Sequence, residues 1–165
     1  MTPALISPAT PDDVPVLLDL IRALADYEKL TSLVVATEAS IRESLFGASP
    51  AAEAIIARVD DEPVGFALWF HNYSTFLGRR GLYLEDLFVT PAWRSQGIGR
   101  QLLANVAAVA VARDCGRMEW SVLDWNDPAI RAYRSIGAAP MDEWTIYRLT
   151  GDALRSLAAK ASSGR

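Results

Sequence analysis

Apolar residues at Val14, Leu17, Leu18, Ile21 and Leu24 recur at helical spacing directly after Thr10-Pro11-Asp12-Asp13. Thr as N-cap, Pro at the first helical position and acids in the first turn are helix-start chemistry, so a helix is expected with one face toward a sheet and Tyr27 and Glu28 near its end. Ala4 to Ser7 reads as a short strand ahead of it, and Thr37 caps a second, shorter helix through about Leu45. The period then changes. Ala54 to Val59 and Val64 to Phe70 flank Asp60-Asp61-Glu62-Pro63, which predicts an antiparallel hairpin. After a polar loop from His71 to Gly81, Leu82 to Val89 reads as the central strand, followed by a glycine-rich turn and a helix with Ile98, Leu102, Leu103 and Val106 inward. Met118, Trp120 and Val122 alternate as a strand, and Asp127-Pro128 opens a helix carrying Tyr133. Trp144 to Leu149 reads as a late strand, and Thr150 caps a final helix that fades into the polar tail Ser162 to Arg165. The order β-α-β-α in the middle implies parallel neighbours joined by a right-handed crossover. The expected architecture is α/β, a single domain over residues 1–165, with a mixed sheet that is antiparallel at its start and parallel in the middle and has helices on both faces.

Composition narrows the chemistry. At 165 residues the chain can bury roughly 70% of the surface its unfolded form exposes, so no staples are needed. The single Cys115 excludes an intramolecular disulfide and any multi-cysteine metal site, and it reads as a buried, inert thiol between helix and strand. The single His71 falls at the end of an apolar run, as a strand-capping histidine; catalytic triads and multi-histidine zinc schemes would have to pass through it alone. A net charge of −4 argues against nucleic acid and suits a cationic substrate. The start Met-Thr-Pro-Ala has no basic n-region and no apolar run approaches 18 residues, so a soluble, cytoplasmic protein without membrane contact is expected.

Arg94-Ser95-Gln96-Gly97-Ile98-Gly99 sits between a strand and a helix, a context that suits an anion. Glycines allow close approach of the main chain, and the first helical amides point outward with the positive end of the dipole behind them. No Lys followed by Ser or Thr comes next, and Leu102 stands where a dinucleotide fingerprint needs its third glycine. The alternative is a turn whose glycines only let a helix pack closely on a sheet.

Glu85 and Asp86 interrupt the central apolar strand, and regular alternation sends them to opposite faces. Ionised groups there are costly. Either they meet cations, Arg79 or Arg80 for example, or one opens into a cleft where a raised pKa serves proton transfer. A third feature is Asp124-Trp125-Asn126-Asp127-Pro128 with Tyr133 beyond it; Asn126 alone reads as a helix cap and Tyr133 alone as core.

Together these features closely resemble the GNAT acyltransferases, particularly the diamine (spermidine/spermine) and thialysine N-acetyltransferase branch. The resemblance is carried by Leu82-Tyr83-Leu84-Glu85-Asp86, by Arg94-Ser95-Gln96-Gly97-Ile98-Gly99, and by Val122-Leu123-Asp124-Trp125-Asn126 followed by Tyr133 and Gly137-Ala138, with looser similarity over Ile6 to Leu30. It implies acetyl-CoA, with the diphosphate held by main-chain amides from Gln96 through Gly97, Ile98 and Gly99 to Arg100, and Arg94 beside it. Ser95 stands where relatives often have Gly, and the Arg100 side chain either adds a phosphate contact or faces solvent. The pantetheine arm would pair with the backbone of Leu87, Phe88 and Val89, Asn126 would bond its amide, and Tyr133 would stand near the sulfur. Tyr27, Glu28, Glu85, Asp86 and Trp125 resemble the acids and rings around the cationic substrate of this branch. The runs Tyr73 to Arg79 and Val122 to Asn126 look more like the thialysine-type relatives than the polyamine-specialised ones. A homodimer is implied as well.

Attack on a thioester needs a neutral amine, and an alkylammonium of pKa ~10.4 is only about 1 part in 2,500 neutral at pH 7, a cost of roughly 5 kcal/mol. Under the resemblance Glu85 is the base, Tyr133 the acid for the departing thiolate, and the amide of Leu87 or Phe88 polarises the carbonyl, with no covalent enzyme intermediate. The alternatives are the same fold acting on a peptide, protein or antibiotic amine, a CoA-binding module without chemistry, and a nucleotide-binding protein.

Overall fold

The computed structural model describes residues 3–162, in two compact units that divide between Ser121 and Val122. In the first unit, strand β1 (Leu5–Pro8) precedes helix α1 (Val14–Tyr27), whose start is fixed by Asp13. Its Oδ2 accepts from the Thr10 amide at 2.8 Å and the Thr10 hydroxyl at 2.9 Å. Helix α2 (Glu38–Phe46) starts on a reciprocal cap: Ser40 N–H donates to Thr37 Oγ1 at 3.2 Å, and Thr37 N–H to Ser40 Oγ at 2.9 Å.

Strands β2 (Glu53–Val59) and β3 (Glu62–Phe70) form the expected hairpin through a shorter turn than the sequence suggests. Asp60 and Asp61 both take positive φ, 48° and 65°, so two residues suffice and Glu62 and Pro63 join the strand. The polar loop after His71 contains a hairpin of its own, β4 (Tyr73–Ser74) and β5 (Arg79–Arg80), which its polarity concealed. Strand β6 (Leu82–Val89) leads to helix α3 (Ile98–Ala112) and then to β7 (Met118–Trp120). The sheet order is β1-β2-β3-β6-β7, antiparallel throughout except for the parallel pair β6 and β7.

Both faces of this sheet are covered. Ala54, Ile56, Phe66 and Phe88 pack with Val14, Leu17, Leu18 and Leu20 of α1 and Ile41 and Leu45 of α2. The alternate positions turn the other way, toward α3, whose Ile98, Leu102 and Val106 are fully buried. Gly65 is required on β3, because a Cβ there would stand 2.5 Å from the Phe88 carbonyl oxygen.

The second unit holds α4 (Asp127–Ser135) and α5 (Gly151–Ala159), the latter following Thr150 as expected. Two strand expectations fail here. Val122 lies beyond the end of β7, and Trp144 to Leu149 forms no ladder. Alternation supplies a strand's faces but not its partner, and among the described residues of this unit there is no strand to pair with. Trp144 and Tyr147 are accordingly 75% and 93% exposed. Of the expected polar tail, residues 163–165 lie outside the described residues. No described helix is long and apolar enough to cross a membrane.

Candidate active site

Strand β6 carries the candidate acids Glu85 and Asp86, and its pairing is irregular there. Leu84 pairs with Trp69 and Asp86 with Leu68, so Glu85 is an extra residue outside the ladder. Strand neighbours point to opposite faces only while the ladder is regular. The inserted residue resets the alternation: Leu84 goes with Trp69, while Asp86 and Phe88 go with Leu68 and Phe66 on the α1 face. The two acids are therefore not separated onto unrelated environments. The exposed Glu85 carboxylate acts on its half-buried neighbour.

Burial pushes the Asp86 carboxyl up to about 6, and the nearby charges of Glu85 and Glu28 push it the same way. Burial also raises Glu28, which follows the last residue of α1. The cations considered for these acids are engaged elsewhere or too distant. Arg79 donates from Nη1 to Asp114 at 2.8 Å, and among the described residues no Lys or Arg lies within ion-pair distance of Glu28, Glu85 or Asp86. Of the two explanations open for the acids in this strand, the neutralising ion pair is removed.

The bulge has a second consequence. β7 pairs only with Leu82, Tyr83 and Leu84, so from Glu85 to Val89 strand β6 has β3 on one side and no described strand on the other. Leu87, Phe88 and Val89 thus lie along an edge with no described strand beside it, the feature that pairing with an extended amide-bearing arm requires, and on it the Val89 carbonyl is taken by Arg94. The glycine turn follows. Ser95 and Gly97 both take positive φ, 60° and 86°, which turns the chain sharply into α3. At the start of α3, Gln101 N–H donates to the Gly97 carbonyl at 3.0 Å, so the amides of Ile98, Gly99 and Arg100 precede the helix's own ladder.

Close packing does not explain Gly99. A Cβ there would meet only Val89 Cγ2, at an ordinary contact distance of 3.7 Å. The glycine leaves open a space that the fold does not fill, beside three amides and an unpaired strand edge. That donor set and that space fit a diphosphate with an attached amide chain. Gln96 donates from Nε2 to the Ala92 carbonyl at 3.3 Å, and the Arg100 side chain is exposed.

Arg94, expected beside the diphosphate, makes three contacts within the protein. Its Nε donates to the Val89 carbonyl at 2.9 Å, and its guanidinium carbon stands 4.1 Å from the centre of the Tyr27 ring and 5.5 Å from that of Phe88. Tyr27 thus presents a ring face to a cation of the protein itself. Sequence offers no signal for this contact, since it joins the end of α1 to the turn before α3.

The remaining candidates belong to the second unit. Asn126 caps α4, with Ala129 N–H donating to its Oδ1 at 3.4 Å. Trp125 is half-exposed and Tyr133 is half-buried on α4. His71 directly follows β3, as expected of a strand-capping histidine, whereas Cys115, expected to be buried, is half-buried. Arg113 donates to His71 Nε2 at 2.9 Å, which leaves the proton on Nδ1 for the Gly81 carbonyl at 3.0 Å, and the Cys115 sulfur lies 3.8 Å from Nδ1.

The uncovered strand edge, the glycine turn at a helix start and the acids on the bulged strand all lie on or directly after β6 of the mixed sheet. The acetyltransferase (GNAT) family matches residues 20–138, and the chain belongs to that family. Thialysine N-epsilon-acetyltransferase of Bos taurus is 39% identical over 155 residues, covering 87% of this chain and 91% of that protein. L-ornithine N5-acetyltransferase NATA1 of Arabidopsis thaliana is 34% identical, covering 90% and 85%. Among solved structures, an integron cassette protein from the mobile metagenome of V. cholerae superposes with a TM-score of 0.76 at 28% identity, covering 96% of this chain and 98% of that one. The protein is an acetyltransferase.

Proposed function

We propose that this enzyme moves an acetyl group from acetyl-CoA to a primary amine of a small basic molecule, a diamine, a polyamine or a thialysine- or lysine-like amino acid. The observation that carries the reading is the unneutralised trio Glu28, Glu85 and Asp86 on and beside the strand whose open edge leads into the glycine cradle. Three acids without a protein cation leave a net negative site, which attracts an alkylammonium and rewards one that carries a second charge. The similarity to enzymes named for thialysine and ornithine supports the same class of substrate.

Acetyl-CoA supplies the thioester carbonyl. The chain's own residues do the rest. The amides of Gly97, Ile98, Gly99 and Arg100, with that of Gln96, hold the diphosphate, and Leu87, Phe88 and Val89 orient the arm while Asn126 bonds its amide. Asp86 and Glu28 hold the distal ammonium. Glu85, exposed at the bulge, takes the proton from the reacting nitrogen, directly or through one water, and so meets part of the roughly 5 kcal/mol that deprotonation costs at pH 7. An N–H of Leu87 or Phe88 polarises the carbonyl, and the Tyr133 hydroxyl holds the proton the leaving sulfur needs. The reading takes residues 1–165 as one working domain, in a cytoplasmic homodimer, as the resemblance implies.

The test is an assay of CoA release with thialysine, lysine, ornithine, putrescine, spermidine, spermine and a peptide with a free N-terminus. Turnover with the free basic amines at kcat/KM well above the peptide is expected. Turnover of the peptide alone, or none with any amine despite CoA binding, overturns the assignment.

A further inference from the structure

We propose that Arg94 is a positioning residue for the amine site, clamping the end of α1 to the cofactor strand, and that it is not a ligand of the diphosphate. This rests on the proposed function for the identity of the two sites, but the clamp itself stands on geometry. The guanidinium is committed in two directions. Its Nε–H is spent on the Val89 carbonyl at 2.9 Å, at the last residue of the strand, and its face covers Tyr27 at 4.1 Å from the ring centre, with Phe88 at 5.5 Å. Val89 borders the cradle, through the 3.7 Å approach at Gly99. Tyr27 is the last residue of α1, and the next residue, Glu28, is close enough to Asp86 to raise its pKa. One side chain therefore spans from the cofactor strand to the helix end that supplies an acid of the amine site.

The same contact explains how a cation can sit here without cancelling the acids. Arg94 makes no ion pair among the described residues, and it does not pull down the pKa of Glu28 or Asp86, both of which stay raised. Its charge is spread over two aromatic rings and a carbonyl. The planar, permanently charged guanidinium is suited to this, and a lysine ammonium is not, because it cannot stack and bond in plane at once.

The experiment measures CoA affinity by calorimetry, kcat and amine KM by CoA release, and melting temperature, for Arg94→Ala, Arg94→Lys, Tyr27→Leu and the double variant Arg94→Ala/Tyr27→Leu. Arg94→Ala is expected to raise amine KM about tenfold, with CoA affinity changed less than about threefold. Arg94→Lys should fail to restore the KM, and the double variant should be no worse than the worse single variant. A tenfold loss of CoA affinity with unchanged amine KM, or recovery by Arg94→Lys, overturns the clamp in favour of a phosphate contact. Independent, additive losses in the double variant overturn it too. If the wild type acetylates no amine, the proposed function fails; the clamp is then decided by additivity of the melting-temperature shifts and by CoA calorimetry.

Discussion

Two sets of carboxylates in the first unit are treated in opposite ways. Glu53, at the start of β2, accepts both arms of Arg113, at 2.5 and 2.8 Å, and that hydrogen-bonded guanidinium holds its pKa below the ordinary value. Asp13 is tied to Arg58 at 2.5 Å and to Thr10, and its pKa is likewise lowered, the hydrogen bonds outweighing burial. Glu28, Glu85 and Asp86 have no such partner, and burial with mutual repulsion carries Asp86 up to about 6. The protein has arginines to spare for its acids and places them where an acid only fastens one segment to another. Where the acids are left exposed to one another, the proposed amine substrate would supply the missing cation, and the native state would be less stable without it.

The largest test of that contrast is Glu85→Gln, which keeps the shape and removes the proton acceptor. A fall in kcat of about 100- to 10,000-fold is expected, with an unchanged melting temperature and unchanged CoA affinity. Tyr133→Phe should lower kcat by a smaller factor on the same assay. Wild-type rates for both variants from pH 6 to 9 would remove the acid–base assignment.

Asp86→Asn sharpens the comparison further, because it should act on binding and stability in opposite senses. Amine KM is expected to rise about tenfold as one charge leaves the site. Stability should rise. The folded protein holds the Asp86 proton more tightly than the unfolded chain, so between about pH 4 and pH 6 the native state binds more protons, and wild-type stability falls as pH climbs through that window. Asn does not titrate, so the gap between variant and wild type should open from pH 4 to 6 and then level, at roughly 2–3 kcal/mol. Urea unfolding at pH 4, 5, 6 and 8 checks it; a gap that is flat across that range would mean Asp86 is not desolvated.

How far the sequence discloses this contrast depends on the kind of interaction. The helix starts at Thr10 and Thr37 were legible because caps are local, and the hairpin around Asp60 was legible from alternation on either side of a turn. The cradle was legible as well, as a glycine pattern between a strand and a helix. The bulge at Glu85 was not: two acids in an apolar strand announce an anomaly, but whether the ladder stays regular is settled by pairing with β3. The same holds for Arg94 on Tyr27 and for Glu53 with Arg113, contacts between distant segments that no spacing rule encodes. Trp144 to Leu149 shows the converse error, a strand pattern without a strand, since alternation describes a face and says nothing of what pairs with the edge.

The smallest expected effect belongs to the paired acids. Glu53→Gln removes a charge from a salt bridge that is itself partly exposed, 44% at Glu53 and 37% at Arg113, so solvent already screens most of its Coulomb energy. Its folded pKa is depressed, so the stability it contributes is present above the unfolded value near 4.5 and is lost as pH falls through the lower folded value. At pH 7 the variant should lose about 0.5–1 kcal/mol in urea unfolding, and the loss should vanish near pH 3. Amine KM and kcat should stay within twofold of wild type, since nothing in the reaction passes through Glu53. The direction of the pH effect is opposite to that of Asp86→Asn, and this opposition is the sharpest form of the contrast: one acid stabilises the fold as it ionises and the other weakens it. Should Glu53→Gln gain stability with rising pH as Asp86→Asn does, the two sets would not differ in kind, and the acid cluster on β6 would lose its claim to be a site rather than a set of tolerated charges.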